Sequence, residues 1–390
     1  MSTGLDCDLL VVGAGIHGAG VAQAAAAAGH DVRVLEQTGI AAGTSSRSSR
    51  LIHGGLRYLE SAQLRLVYES LRERAILLRI APDLVRLVPF HIPVYRGMRR
   101  SAARVRAGLS LYALLGGWRG GSRFHSLPRS TWDGLDGLDT RGLDAVFRYV
   151  DARTDDAALT RAVMRSAQSL GAELLCPARF VAARATGDGI EIDCTENGRE
   201  RTLRARALVN AAGPWVNRVL ARIEPPLSAS RIELVQGTHL LVPGRLACGI
   251  YYLESPRDAR AVFAMPDDQG VLVGTTEVPY EGDPGRVAPL PAEIAYLRET
   301  LARYFPRLDG EPMEAYAGLR VLPAMPTAAF HRPRETVLHA DDPARPRIVS
   351  IYGGKLTTYR AVAERVMARL QPSLPAAIRR ADTARLPLAP

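Results

Sequence analysis

A glycine-rich turn near the N-terminus constrains the fold of this chain more than any other feature. Asp8 to Val12 is an apolar run typical of a buried parallel strand, and it leads directly into the turn GAGIHG at residues 13–18. An alanine-rich helix follows and ends at Gly29, and a second strand then ends in Glu36. Such glycines let the backbone approach a pyrophosphate at a helix N-terminus, while the acid accepts from a ribose hydroxyl. The order of these elements predicts a βαβ dinucleotide-binding unit.

The composition is that of an ordinary globular protein with more than one domain. The chain has 390 residues, of which 47% are apolar and 23% are charged. At about 150 residues per domain, this length predicts two or three domains that fold together. The net charge of +10 favours anionic partners. The four cysteines form no C-x-x-C pair, so we expect no metal site and a reduced, cytoplasmic compartment.

Signals for export, membrane insertion and nucleic-acid binding are missing from the sequence. Asp6 and Asp8 precede the first apolar stretch and no basic residue does, which indicates folded structure rather than a signal peptide. Apolar runs are too short to predict a membrane-spanning helix. Nucleic-acid binding would need a stacking platform or a groove-reading motif in addition to charge, and neither is visible.

A hydroxyl-rich loop follows the second strand and favours FAD over NAD. Residues 43–50 carry five hydroxyl groups and two guanidinium groups, and His53-Gly54-Gly55 comes soon after. A loop of this kind can hydrogen-bond phosphates and the edge of an isoalloxazine ring. A solvated surface loop is the alternative interpretation.

The second half of the chain predicts more strands and a second glycine turn. Asn197-Gly198 lies between two strand-like runs and predicts a hairpin, and residues 231–280 are typical of antiparallel strands. A strand over 347–351 meets Gly353-Gly354 and then an amphipathic helix. The amides at the start of that helix can stabilise negative charge on a reduced flavin.

Lysine is almost absent from this sequence. All 50 basic residues are arginine except Lys355, which lies beside the second glycine turn. Lysine carries a compact charge whose pKa shifts readily, whereas arginine does not. We therefore expect Lys355 to have a role that arginine cannot fill, with chance survival as the alternative.

Four segments together resemble the FAD-dependent glycerol-3-phosphate dehydrogenases. They are GAGIHG at 13–18, TSSRSSRLIHGGLRYLE at 44–60, NAAGPW at 210–215 and GGKLTTYR at 353–360. The resemblance implies an α/β chain (α+β overall) with a Rossmann-like FAD-binding domain and an antiparallel-sheet substrate domain. We expect the FAD-binding domain at 1–85, 150–225 and 335–390 and the substrate or cap domain at 86–149 and 226–334.

The same resemblance assigns individual residues to FAD, to the substrate and to catalysis. For non-covalently bound FAD it implies Gly13, Gly15, Ile16, His17, Gly18, Glu36, Gln37, Thr44, Ser45, Ser49, His53, Gly54, Gly55, Val181, Ala211, Gly213, Trp215, Gly353, Gly354, Lys355, Leu356 and Thr357. For the substrate it implies Arg57, Tyr58 and Tyr359, and for catalysis His239, Arg320, Lys355 and Arg334.

The proton acceptor has two candidates among these residues. A histidine can accept or relay a hydroxyl proton near neutral pH, which favours His239. Arg320 could instead polarise the oxygen, and a packed structural histidine is the third interpretation. This sequence departs from the family pattern at two points. His17 occupies a position where the family often has a smaller polar residue, and we expect the family's C-terminal helical domain to be absent.

These features predict oxidation of sn-glycerol 3-phosphate to dihydroxyacetone phosphate by hydride transfer to flavin N5, with electrons passed to a quinone. Leu84 to Trp132 contains nine arginines and no acid, which predicts peripheral contact with an anionic membrane on its inner face, or a plain basic surface. A homodimer is a further expectation. The alternatives are an FAD-dependent oxidoreductase of a 2-hydroxy acid or an amino acid, and a non-catalytic flavin-bound protein.

Overall fold

Two β-sheets and the helices packed on them make up the fold, in a computed structural model that describes residues 4–117, 123–324 and 335–389. In these ranges the helices are α1 (Ile16–Ala28), α2 (Leu64–Ile80), α3 (Ala102–Leu115), α4 (Asp156–Ser169), α5 (Val216–Leu220), α6 (Pro291–Tyr304) and α7 (Tyr359–Leu370). The strands are β1 (Cys7–Val12), β2 (Val32–Leu35), β3 (Leu51–Ile52), β4 (Val85–Tyr95), β5 (Phe124–Ser126), β6 (Leu143–Thr154), β7 (Glu173–Leu175), β8 (Ala178–Ala185), β9 (Ile190–Glu196), β10 (Arg199–Asn210), β11 (Ile223–Glu224), β12 (Ile232–Val242), β13 (Ile250–Glu254), β14 (Ala261–Pro266), β15 (Val271–Gly274), β16 (Val278–Tyr280), β17 (Glu314–Pro323), β18 (Val337–Ala340) and β19 (Ile348–Tyr352).

The first sheet has nine strands around a parallel centre. Strand β1 lies between β2 and β10, and β19 pairs with β10, all of them parallel. Leu9, Leu10 and Val11 have no exposed surface, because helices or strands cover both faces of the sheet at this point. The antiparallel strands β8 and β9 extend the sheet on one side, and β18 pairs with β19.

The second sheet has ten strands and is mostly antiparallel. Its order is β16-β12-β15-β14-β13-β4-β6-β3, with β17 paired to β12 and β5 paired to β6. The longest pairs are β4 with β6 and β12 with β17. One contact, β13 with β4, is parallel, which the sequence pattern did not predict.

Most of the predicted elements are confirmed. The mixed α/β fold class is correct, and the hairpin of β9 and β10 turns at Asn197 and Gly198, both of which have positive φ. The strand-like run after Gly198 forms the long strand β10, which continues to Asn210. The segment from Leu84 to Trp132, predicted as a basic surface, begins with a strand instead. Residues 85–95 form β4, and its Phe90 is fully buried in the second sheet.

The predicted domain boundaries stay a prediction. Strands of the first sheet come from 7–35, 173–224 and 337–352, and strands of the second come from 51–154 and 232–323. The short strand β3 and the end of β6 thus belong to the second sheet, although we expected both segments in the FAD-binding domain.

Helix α1 has small side chains that let neighbouring helices pack against it. It packs against α4 and α7, and eleven of its thirteen residues are buried. The ring of Tyr359 in α7 lies against Gly20, where an added Cβ would come within 2.7 Å of the ring atom Cδ2. The alanines and glycines of α1 therefore set the distance between these helices.

Gly20→Ala should destabilise the protein by about 1–2 kcal/mol, because overpacking against a buried ring outweighs the gain in helix propensity. Urea unfolding measures this free energy. Gly108→Ala is the matched control: it also lies inside a helix, and its Cβ would meet no atom within 4 Å. The control should be stabilised by about 0.5–1 kcal/mol, and equal stability of the two variants would contradict the packing argument.

Candidate functional site

Three strand ends meet at one edge of the first sheet. Strands β1, β10 and β19 are parallel neighbours, and each is followed by a turn of small residues that begins at Gly13, Ala211 or Gly353. Because parallel strands end at the same edge, these turns lie side by side. The first two turns are in direct contact: a Cβ on Gly13 would lie 2.9 Å from the carbonyl oxygen of Ala211. Open α/β sheets bind ligands at such an edge.

The N-cap residue of α1 is a glycine, which has no side chain to cap the helix. Gly15 is the N-cap residue and no acid lies in the first turn of the helix. Gly13 has φ of 101°, and a Cβ on Gly18 would lie 1.8 Å from the carbonyl oxygen of Gly13. Ile16 donates its backbone N–H to Ser45 Oγ at 2.9 Å, which ties the hydroxyl-rich loop to this turn. An uncapped helix start behind a tight turn can receive a phosphate.

Glu36 holds the neighbouring loop at the end of β2. Its Oε2 accepts from the N–H of Ala14 at 2.9 Å, and its Oε1 accepts from the N–H of Thr38 at 2.8 Å. A carboxylate has about four acceptor positions, so Oε2 can accept a further hydroxyl. Gln37 and Thr38 line a surface cleft together with Arg179 and Asn197. Glu36 and this cleft can hold the ribose and base of a nucleotide.

The second glycine turn reaches both N-terminal loops. A Cβ on Gly354 would lie 2.2 Å from His17 Nε2, and the N–H of His53 donates to Thr357 Oγ1 at 3.2 Å. Burial lowers the pKa of His17 and of His53 to about 4, so both rings are neutral at neutral pH. His17, the departure from the family pattern, therefore lies between the two glycine turns as an uncharged ring.

Three cations lie next to this turn, and two of them share one carboxylate. Glu277 Oε1 lies 3.3 Å from Arg57 Nη1 and 3.5 Å from Arg320 Nη1, and the Glu277 side chain is 4% exposed. Lys355 Nζ lies 3.8 Å from the centre of the Tyr58 ring, where the electron-rich face attracts a cation. The structure thus brings together four predicted residues, and Glu277 is an addition that the sequence did not indicate.

His239 lies in β12 beside this cluster and is almost fully buried. Its Nε2 is 3.0 Å from Ser49 Oγ, and its ring stacks on Tyr316 with 5.1 Å between the ring centres. Its Nδ1 has no hydrogen-bond partner among the described residues. Burial, together with the positive charges of Arg320 and Arg50, lowers the pKa of His239 to about 3. The ring is therefore neutral at physiological pH.

The remaining predicted residues occupy varied positions. Thr44 donates to the carbonyl oxygen of Leu319 at 2.8 Å and so joins its loop to β17. Trp215 lies near Gly43, with 3.7 Å between its ring and an added Cβ. Val181 lies at an irregularity in the pairing of β8 with β9. Arg334 lies outside the described residues.

Tyr359 is a core residue in the structure, and its predicted contact with the substrate stays a prediction. Its ring is fully buried in the core between α1 and α7, and it contacts Gly20 rather than the cluster around Glu277. The reason is helix geometry: Tyr359 opens α7, and its side chain points from the helix toward α1. This position does not support contact with the substrate.

Comparison with known proteins shows the family to which this chain belongs. The sequence model described as FAD dependent oxidoreductase matches residues 8–360. The chain belongs to the FAD-dependent oxidoreductase family. The oxidoreductase is 39% identical to D-erythritol 1-phosphate dehydrogenase of Brucella abortus over 382 residues, which cover 95% of this chain and 74% of that protein. It is also 39% identical to glycerol-3-phosphate dehydrogenase of Pseudomonas aeruginosa over 376 residues, or 94% and 72% of the two chains.

A solved structure supports the same assignment. The glycerol-3-phosphate dehydrogenase of Bacillus halodurans complexed with FAD has a TM-score of 0.73 and 27% identity, and the match covers 98% of this chain and 67% of that one. The prediction of an FAD-dependent enzyme is thereby confirmed. The residues present fit FAD: the uncapped start of α1, the glycine turns that a Cβ would fill and the open acceptor position on Glu36 suit its phosphates and ribose.

A buried hydrogen-bond network around Glu293 and Thr276 is a further feature of the oxidoreductase that the sequence did not reveal. Glu293 in α6 accepts from Gln236 Nε2 and from Thr276 Oγ1, and Thr276 Oγ1 accepts the N–H of Thr238 beside His239. Such partners are far apart in sequence, and only the fold brings them together. In the part of the chain that the structure describes, no helix has both the length and the apolar character needed to cross a membrane.

The low pKa of His239 predicts a specific dependence of stability on pH. Its pKa falls from 6.5 to about 3 on folding. The contribution of neutral His239 to the free energy of unfolding is therefore fully present above about pH 6.5 and is lost as the pH falls toward 3. The loss is about 1.4 kcal/mol per pH unit in this window. Between pH 7 and pH 5, the free energy of unfolding of the wild type should therefore fall by about 2 kcal/mol more than that of His239→Gln. Urea unfolding at the two pH values measures this difference.

The control for this prediction is His125→Gln, because His125 is exposed in the edge strand β5. This variant should show the pH dependence of the wild type. If His239→Gln also shows it, the proposed burial of a neutral His239 is wrong.

Proposed function

We propose that the enzyme oxidises the secondary alcohol of a small polyol phosphate, with sn-glycerol 3-phosphate as substrate and dihydroxyacetone phosphate as product. The observation that carries this proposal is the meeting of Arg57, Arg320 and Lys355 beside the predicted flavin loops. Arginine guanidinium groups match the geometry of phosphate oxygens, and a lysine adds a compact charge.

The charge of this cluster suits a phosphate better than a carboxylate. Three cations and the carboxylate of Glu277 leave a net charge of +2, and His239 adds none because it is neutral. A phosphate monoester carries close to −2 at neutral pH, whereas a 2-hydroxy acid carries −1 and an amino acid is a zwitterion. Glu277 also holds Arg57 and Arg320 close together despite their like charges.

Oxidation of an alcohol requires removal of a hydride and a proton. FAD supplies the hydride acceptor, at N5 of the flavin. His239 is the proposed proton acceptor, because its ring is neutral and its Nδ1 lacks a partner among the described residues. Burial disfavours a lasting charge on this ring, so Nε2 releases a proton to Ser49 Oγ as Nδ1 gains one, and the half-buried Ser49 passes its own hydroxyl proton to solvent. Arg320 is the rival group, since its charge can stabilise a developing alkoxide.

A longer polyol phosphate is the second candidate substrate. One similar protein is named D-erythritol 1-phosphate dehydrogenase, at the same 39% identity as a glycerol-3-phosphate dehydrogenase. A cleft extends from Arg57 and Tyr58 toward the surface, lined also by Glu60, Ser61, Arg99, Arg100 and Arg104. Its arginine-rich lining suits the phosphate of a longer polyol.

We further propose that a quinone accepts the electrons at the inner, cytoplasmic face of a membrane. The support is the surface around α3, where Arg96, Arg99, Arg104 and Arg106 are exposed and Leu114 is 60% exposed. Exposed arginines beside an apolar side chain suit the headgroup region of an anionic bilayer. The expected homodimer stays a prediction.

Arg57→Ala should raise the KM for glycerol 3-phosphate by about tenfold to a hundredfold, because a charge-assisted hydrogen bond to phosphate contributes about 1.5–3 kcal/mol. Steady-state assays with glycerol 3-phosphate, D-erythritol 1-phosphate, lactate and alanine would measure this. Arg184→Ala is the control, since the Arg184 side chain is 67% exposed. Its KM values should equal those of the wild type. Turnover of lactate or alanine in preference to both phosphates would contradict the proposal.

A further inference from the structure

The loop that contains His53 and Gly54 is fastened by a tyrosine from a distant helix. The backbone N–H of Gly54 donates to the hydroxyl of Tyr112 at 2.8 Å. Tyr112 belongs to α3, lies 58 positions further along the chain and is 1% exposed. On the other side of the same loop, the N–H of His53 donates to Thr357 Oγ1. Two consecutive amides are thus held by two different parts of the molecule.

The tyrosine is itself the middle of a buried series of hydrogen bonds. Its hydroxyl donates to Asp151 Oδ2 at 2.5 Å, and Asp151 Oδ1 accepts from Arg74 Nη1 at 2.6 Å. Asp151 is 1% exposed and Arg74 is 5% exposed. Burial and the charge of Asp151 raise the pKa of Tyr112 well above its usual range, so the phenol keeps its proton. Its hydrogen therefore points to Asp151, and its lone pairs are directed to Gly54.

Close packing at Gly54 shows that this contact is built into the fold. A Cβ on Gly54 would lie 2.5 Å from the Tyr112 hydroxyl oxygen and 2.7 Å from Leu71 Cδ2. Only a residue without a side chain lets the loop lie this near α2 and α3. A charged group at one end of a hydrogen-bond series strengthens the bonds that follow it, and the low dielectric of the interior increases the effect.

We propose that Arg74, Asp151 and Tyr112 form a positioning relay that fixes the backbone of His53 and Gly54 against the flavin. This inference rests on the proposed flavin contact of these two residues. The relay touches neither substrate nor flavin; it acts through the amide of Gly54. Asp151 also raises the pKa of His53, against the larger effect of burial, so the same carboxylate influences the electrostatic environment of the loop.

Tyr112→Phe is the sharpest test, because it removes one oxygen and keeps the ring. The N–H of Gly54 then loses its acceptor in a buried position, which weakens the loop that FAD contacts. The expected result is a rise of about tenfold in the Kd of FAD, measured by flavin fluorescence on the apoprotein. The midpoint potential of the bound flavin should shift as well, and kcat for the polyol phosphate should fall while KM stays constant.

Tyr149→Phe is the matched control. Tyr149 lies in the same buried cluster, with its ring centre 6.1 Å from that of Tyr112, and the amide of Gly54 donates to Tyr112 rather than to Tyr149. FAD affinity and potential of this variant should equal those of the wild type. Asp151→Asn provides a second test, since it keeps the shape of the carboxyl group and removes its charge, and it should weaken FAD binding in the same direction.

Wild-type FAD affinity and potential in Tyr112→Phe would overturn the inference, and so would equal losses in Tyr112→Phe and Tyr149→Phe. Both flavin measurements are made without substrate. Failure of glycerol 3-phosphate as a substrate would therefore contradict the proposed function and leave the test of the relay intact.

Discussion

The parallel alignment of β1, β10 and β19 is the constraint on which the rest of the site depends. Since these strands end at one edge, three turns that are far apart in sequence become neighbours. The carbonyl oxygen of Ala211 lies so close to Gly13 that a Cβ there would be only 2.9 Å from it. The helix that follows the first turn has no side-chain cap at its start. An FAD-dependent oxidoreductase needs this geometry, because backbone amides and a helix dipole must face phosphate groups at short range.

The second sheet contributes the charges that the first sheet lacks. The loop before β3 and the strands β12 and β17 bring Ser49, His239 and Arg320 to the edge where the glycine turns lie. Glu277 keeps Arg57 and Arg320 together, and Tyr112 holds the loop that carries His53. The candidate site thus combines tight backbone packing at the glycine turns with the ion pairs of Glu277.

The sequence predicted the parts of the fold that local patterns determine. An apolar run followed by glycines predicted β1 and α1, and Asn197-Gly198 predicted the hairpin, because in each case neighbouring residues determine the backbone. Glu277 escaped prediction because its partners Arg57 and Arg320 lie 220 and 43 positions away, and it is one of 40 acids. The burial of Tyr359 between α1 and α7 escaped prediction for a related reason: a motif gives a position in sequence, whereas the direction of a side chain depends on the helix that carries it.

The central claim is that a polyol phosphate transfers its hydride to the FAD of this enzyme. The most direct measurement is anaerobic addition of glycerol 3-phosphate to the purified holoenzyme, followed through the visible absorption band of oxidised flavin. Rapid bleaching of this band without any added electron acceptor is the expected result. If the band persists with glycerol 3-phosphate and with D-erythritol 1-phosphate but disappears with an amino acid or a 2-hydroxy acid, the account is contradicted.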